Sequence, residues 1–154
     1  MAVNKEAVNF NDCIQQILLV YTPIAKAKNI HIKSDIQHNI QINADQNFLA
    51  TILRNLIDNA IKNTAPNLEI LITANFKLEV LKLTIQNPTN ISDEKFTTLE
   101  TFFTSKKEWQ VGEKRMGLGL ILIKEFTKKM NGCIEVKKEN EVISFELSFP
   151  IQDR

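Results

Sequence analysis

The stretch that most restricts the fold is residues 68–86, LEILITANFKLEVLKLTIQ. Two runs rich in Leu, Ile, Val and Thr, 68–75 and 78–86, sit almost end to end. Runs joined this tightly pair as an antiparallel hairpin, here turning near Asn75–Lys77, because parallel neighbours need a crossover of a dozen or more residues. A second such pair, 133–139 and 142–149, closes the chain before Pro150. Residues 30–36 set Ile30, Ile32 and Ile36 against His31, Lys33 and Asp35, the alternation of a half-buried strand. Residues 7–10 and the pair Ile40 and Ile42 add two short extended pieces.

Helical spacing accounts for most of the rest. Asn11 or Asp12 caps a helix running to about residue 28, with Ile14, Ile17, Leu18 and Tyr21 on one side. Pro23 predicts a kink or break near Tyr21–Thr22. Asp45 opens a long helix to about Asn63, stopped before Pro66. A third helix runs from about Gly117 to Met130 and is turned by Asn131–Gly132. Residues 87–116 are polar and irregular, with a short helix at 93–103. A connection of that length in a compact domain is commonly a functional lid. The order predicts a two-layer α/β sandwich: a mixed, mostly antiparallel sheet with helices on one face and a flexible lid at about 87–116. Residues 1–154 read as one domain, without repeat or linker.

Charge excludes some partners. With 19 basic and 18 acidic residues the formal net charge is +1, which marks neither a nucleic-acid-binding nor a membrane-binding surface. No apolar run approaches the roughly 20 residues of a membrane span. The opening MAVNKEAVNF lacks the apolar core of a signal peptide. Cys13 and Cys133 are too few and too isolated for a disulfide scaffold or a zinc site, which fits a reduced, intracellular setting.

Two polar features interrupt the apolar pattern. On helix 45–63, Asn55, Asn59 and Lys62 follow one another at i, i+4 and i+7, opposite a broad apolar arc. Asn is a modest helix former. Its carbonyl oxygen suits a Mg²⁺ ion that also holds phosphates and waters, and a lysine one turn later reaches phosphate. The same three side chains also fit an ordinary solvated face. The second feature is glycine. All four glycines, Gly112, Gly117, Gly119 and Gly132, fall within residues 112–136. Gly117 and Gly119 precede the periodicity of Leu120, Ile121, Ile123, Lys124, Phe126 and Thr127. A helix N-terminus there exposes unpaired N–H groups to an anion, or is simply a glycine-rich helix start. Before it, Phe102 and Phe103 pin a loop to the core, while Thr104, Ser105 and Lys106 offer hydroxyls and an ammonium.

Taken in order, these pieces resemble one family. FLATILRNLIDNAIKNT resembles the N box of sensor histidine kinases, FFTSK their F box, and GEKRMGLGLILIKEF followed by MNGCIEV their G2 box and the strand after it. ISFELSFP resembles their closing strand. The resemblance covers about residues 7–150. It implies the ATP-binding catalytic domain of the GHKL superfamily of ATPases, an α/β sandwich with an ATP lid. By position, Asn59 would be the Mg²⁺ ligand. Asn55 would stand where gyrase-like relatives place a glutamate that activates water, and an amide cannot act as that base. Lys62 would contact phosphate, Thr104, Ser105 and Lys106 would belong to the lid, and Gly117, Leu118, Gly119 and Leu120 would hold the triphosphate. Ser144 would support the adenine site.

The pattern is broken at the G1 box, where Asp-x-Gly-x-Gly is replaced by Asn87–Pro88–Thr89–Asn90. Asn87 retains an acceptor for the adenine amino group but not the charge that strengthens it. Arg115 and Met116 stand where Gly and Thr are usual. His31 and His38 do not fit the acceptor histidine, so the reading needs a His-bearing dimerisation domain, in the same or another chain, and a response regulator downstream. The implied activity is transfer of the ATP γ-phosphate to that histidine, with ATP and Mg²⁺, in the cytoplasm and without direct membrane contact. The alternatives are a degenerate, non-catalytic nucleotide-binding or docking module and a stand-alone Ser/Thr kinase of the anti-sigma type.

Overall fold

The computed structural model describes residues 2–106 and 117–150. Its elements are β1 (Glu6–Asn9), α1 (Phe10–Ala27), β2 (His31–Ile36), β3 (Gln41–Ala44), α2 (Gln46–Lys62), β4 (Glu69–Lys77), β5 (Val80–Pro88), α3 (Asp93–Thr104), α4 (Leu118–Lys129), β6 (Cys133–Glu139) and β7 (Val142–Pro150). Five strands form a sheet in the order β2-β4-β5-β7-β6, and β1 pairs with β3 in a separate ribbon. Only β2 and β4 run parallel in the larger sheet. This is the mixed, mostly antiparallel arrangement the hairpins predict.

Pleating divides the large sheet into two chemically distinct faces. Leu81, Leu83 and Ile85 of β5 and Ile143, Phe145, Leu147 and Phe149 of β7 are buried. Alternate residues form the opposite face, where Glu146 bridges Lys82 at 3.0 Å and Lys137 at 2.9 Å. α2 buries eight side chains, from Phe48 to Ile61, in the single core. Phe48 stacks on Phe126 of α4 with ring centroids 4.3 Å apart, so the two helices lie side by side.

Local chemistry sets the helix ends. Asp45 caps α2, accepting from Phe48 N at 3.0 Å through one oxygen and from Asn4 N at 2.8 Å through the other. Burial pushes its carboxyl pKa up, but backbone N–H groups of Asn4, Phe48 and Asn47 outweigh that and hold it low. α1 starts earlier than the sequence suggests. Its cap is Asn9, which accepts from Asp12 N at 3.1 Å. Asn11 instead ties the helix to the β2–β3 connection, donating to Gln37 O and accepting from Ile40 N, each at 2.8 Å.

Three expectations change. α1 is not broken at Pro23. The missing N–H frees a carbonyl on the side where Leu19, Val20 and Ile24 are exposed, and water can satisfy it there. The β4–β5 turn is not at Asn75–Lys77 but at Leu78–Glu79, with φ of 55° and 63°. Positive φ at both loop residues is the hairpin turn that fits strand twist, though neither residue is a usual choice for it. Within 87–116, Asn87 and Pro88 complete β5 instead of opening the irregular stretch, while α3 matches the short helix expected at 93–103.

Candidate functional site

The N-box-like helix and the glycine stretch meet at one point. Asn55 is half-buried on α2, and its Nδ2 donates to Thr51 O at 2.7 Å, which leaves Oδ1 facing α4. A Cβ on Gly119 would lie 2.8 Å from that Oδ1, closer than real Cβ atoms approach. A methyl group at residue 119 would therefore force the end of the Asn55 side chain to turn aside. Gly117 has nothing within 4 Å of its Cβ position. It caps α4 in extended conformation with no side-chain hydrogen bond. The first N–H groups of α4, at Leu118, Gly119 and Leu120, thus have no side-chain cap competing for them. Leu118 is exposed and Leu120 is partly packed on the core.

One turn from Asn55, Asn59 is half-buried and accepts from Asn63 Nδ2 at 3.1 Å through its own Oδ1. A second lone pair of that oxygen is available. Among the described residues no group of three or more His, Cys, Asp or Glu could hold a metal ion. The donor set thus fits a magnesium bound chiefly through phosphates and waters, with one neutral amide oxygen. Lys62 is exposed and pairs with Asp58 at 2.8 Å, an i,i+4 contact. That hydrogen bond raises its pKa and keeps the ammonium charged. Asp58 was not among the sequence-derived residues, although its spacing from Lys62 shows the pairing.

Asn87 lies at the end of β5 on the buried face, opposite Ile143, with only 2% of its surface exposed. Its Nδ2 donates to Pro88 O at 2.9 Å. Ser144 is not brought to it. Ser144 pairs with Gln86, one residue out of step, and so faces the other side of the sheet, where its Oγ accepts from Gln86 Nε2 at 3.1 Å. The two-residue period of the strand separates the two proposed adenine-site residues.

The F-box-like residues are held from α4. Phe102 and Phe103 are buried, and Phe103 meets Phe145 edge-on at 6.0 Å. Thr104 Oγ1 donates back to Glu100 O at 3.0 Å, a bond within its own helix. Ser105 and Lys106 border a cavity of about 220 Å³ with Lys124, Thr127, Lys128 and Cys133, on the α4–β6 side. Lys124 is buried, donates to Phe102 O and Ser105 O, and lies 4.8 Å from the Phe102 ring centre. Burial lowers its pKa. The sequence signal for Lys124 was its place inside an apolar helical period. Gly112, Arg115 and Met116 lie outside the described residues. His31 and His38 are exposed, and His31 Nε2 lies 3.9 Å from Glu69.

The large sheet is thus covered by helices on one face, and two amide-bearing turns of α2 lie beside the start of α4. The chain belongs to the histidine kinase-, DNA gyrase B- and HSP90-like ATPase family, whose profile matches residues 44–153. Membership assigns ATP to the domain as its nucleotide. Relatives include the sensor protein DltS of Streptococcus agalactiae, 27% identical over 97% of this chain, and the autoinducer 2 sensor kinase/phosphatase LuxQ of Vibrio harveyi, 26% identical over 99%. This chain spans only 38% and 19% of their respective lengths. Among solved structures, the catalytic domain of histidine kinase ThkA, nucleotide-free, superposes with a TM-score of 0.82 at 20% identity and covers 96% of both chains. Full-length ShkA in complex with AMPPNP gives 0.79 at 21% identity, over all of this chain and 32% of that one.

Proposed function

We propose that residues 1–154 form the ATP-binding catalytic domain of a two-component sensor histidine kinase. The domain would transfer the ATP γ-phosphate to a histidine on a separate dimerisation domain. The observation that carries this reading is the seat of Gly119 against Asn55, which sets the amide ridge of α2 beside the N-terminal N–H groups of α4. Phosphate oxygens placed there would accept from the amides of Leu118, Gly119 and Leu120 at the positive end of the helix. Asn59 would supply the protein ligand of Mg²⁺, which when bound neutralises phosphate charge. Lys62 offers a second cation at the same ridge, shared with Asp58. Asn55 has no proton-accepting carboxylate, so nothing at that position activates water, which suits transfer over hydrolysis. Positioning and charge stabilisation are what phosphoryl transfer asks of such a site. A response regulator would receive the phosphate next, a role supported by the solved complex of ThkA with its regulator TrrA. This reading places the domain in the cytoplasm, and no helix among the described residues is long and apolar enough to cross a membrane.

One observation favours a second reading, a nucleotide-binding module without transfer. Asn87 stands in the G1 position as a neutral amide, buried and bonded to its own neighbour. Mixing the chain with ATP, Mg²⁺ and a dimerisation domain bearing the acceptor histidine separates the two. Acid-labile phosphate on that histidine supports the kinase. Tight nucleotide binding with no transfer supports the module.

A further inference from the structure

The last turn of α3 is closed from outside. A helix leaves its final carbonyls unpaired, and a basic side chain or a left-handed residue usually meets them. α3 has no basic residue in its last turn, and Ser105 follows it in extended conformation with φ of −69°. The carbonyls of Phe102 and Ser105 instead accept from Lys124 Nζ, which comes from α4. Lys124 is the one buried lysine among the described residues, and it gives up hydration to make this contact. Its stem carries the ammonium over the Phe102 ring, which is itself fully buried.

The clamp joins two ends of chain. α3 ends at Thr104 and α4 begins at Leu118, and Lys124 ties these two helices together. One end carries Ser105 and Lys106, the other Gly117 and the open N–H groups of α4. We propose that Lys124 is a positioning residue for the nucleotide's phosphates: it bolts the end of α3, with Ser105 and Lys106 behind it, onto the helix whose N-terminus receives them. It acts through backbone carbonyls and touches no phosphate. The proposal rests on the nucleotide reading above.

A purely structural clamp and a positioning clamp differ in which ligand they affect. Calorimetric titrations of the 154-residue chain with a non-hydrolysable ATP analogue plus Mg²⁺, and separately with adenosine, are compared for the unaltered chain, Lys124→Met and Lys124→Arg. All are run well below each variant's Tm. Lys124→Met is expected to lose roughly tenfold in affinity for the triphosphate, with adenosine affinity unchanged, while Lys124→Arg restores most of the loss. Lys124→Gln, which keeps one donor, takes the place of Lys124→Met if that variant does not fold. Triphosphate affinity within twofold of the unaltered chain, or an equal loss for adenosine, would overturn the role of Lys124. Failure of the unaltered chain to bind either ligand would instead sink the nucleotide reading itself.

Discussion

At the residue scale, the account depends on a few polar atoms in an apolar neighbourhood. Asn59→Ala removes one amide whose only described side-chain bond is to Asn63. The expected result is loss of Mg²⁺-dependent nucleotide binding in calorimetry, with Tm essentially unchanged. Gly119→Ala puts a methyl group against Asn55 Oδ1. Because that oxygen ends a flexible side chain that can turn aside, the loss is expected at the low end of the about 1–3 kcal/mol that overpacking costs. Denaturant titration should show that loss, and Asn55→Ala in the same chain should recover part of it, because the two positions share one clash. Gly117→Ala meets nothing and should leave stability alone. Asn87→Asp restores a charged acceptor. Titration should show adenine-nucleotide affinity rising by up to about tenfold, on the order of 1 kcal/mol. No gain would mean that residue 87 does not face the base. These residues were legible in the sequence because Asn at helical spacing and clustered glycine are out of place unless something meets them. What could not be read was direction. Ser144 and Asn87 lie near the same sheet end, but only the strand register shows that they face opposite sides.

At the element scale, the hairpins and helices follow from pattern, whereas their ends follow from side-chain hydrogen bonds. The β4–β5 turn was misplaced because Leu78–Glu79 carries no Asn-Gly or Asp-Gly signal, yet takes positive φ at both residues. The pairing of Lys77 with Val80 fixes the loop despite that local strain. Replacing Leu78–Glu79 with Asn-Gly should therefore stabilise the domain by about 1 kcal/mol, seen as a higher urea midpoint with an unchanged m-value. The α2 cap gives the pH dependence. Asp45 has a folded pKa below its ordinary value, so its contribution is fully present above the unfolded carboxyl pKa of about 3.9. It is lost as pH falls through the folded value. Tm measured from pH 7 down to pH 2 should show Asp45→Asn less stable at neutral pH by about 1 kcal/mol, with the difference closing in acid. α1 passing through Pro23 has the opposite lesson: a local breaker was overridden by burial of Ile14, Ile17 and Ala25 on the inner face.

At the scale of the whole molecule, the proposed phosphate end of the site lies on helices and the proposed base end on the sheet. That division explains why one end reads clearly and the other does not. Helical spacing leaves a signature within a few residues, so Asn55, Asn59 and Gly119 were visible before their contact was. The base end needs β5 and β7 to be in register, a contact between residues more than 50 positions apart. Lys124 is a similar case, since its carbonyl partners lie on another helix. The chain spans 38% of DltS and 19% of LuxQ; in the proposed reading the acceptor histidine comes from a separate dimerisation domain. The most direct test of the central claim is calorimetric titration of the 154-residue chain with a non-hydrolysable ATP analogue, with and without Mg²⁺. Saturable binding that strengthens at least about tenfold with Mg²⁺, and that disappears in Asn59→Ala, is the predicted result. No binding at millimolar nucleotide, or binding indifferent to both Mg²⁺ and Asn59, would contradict it.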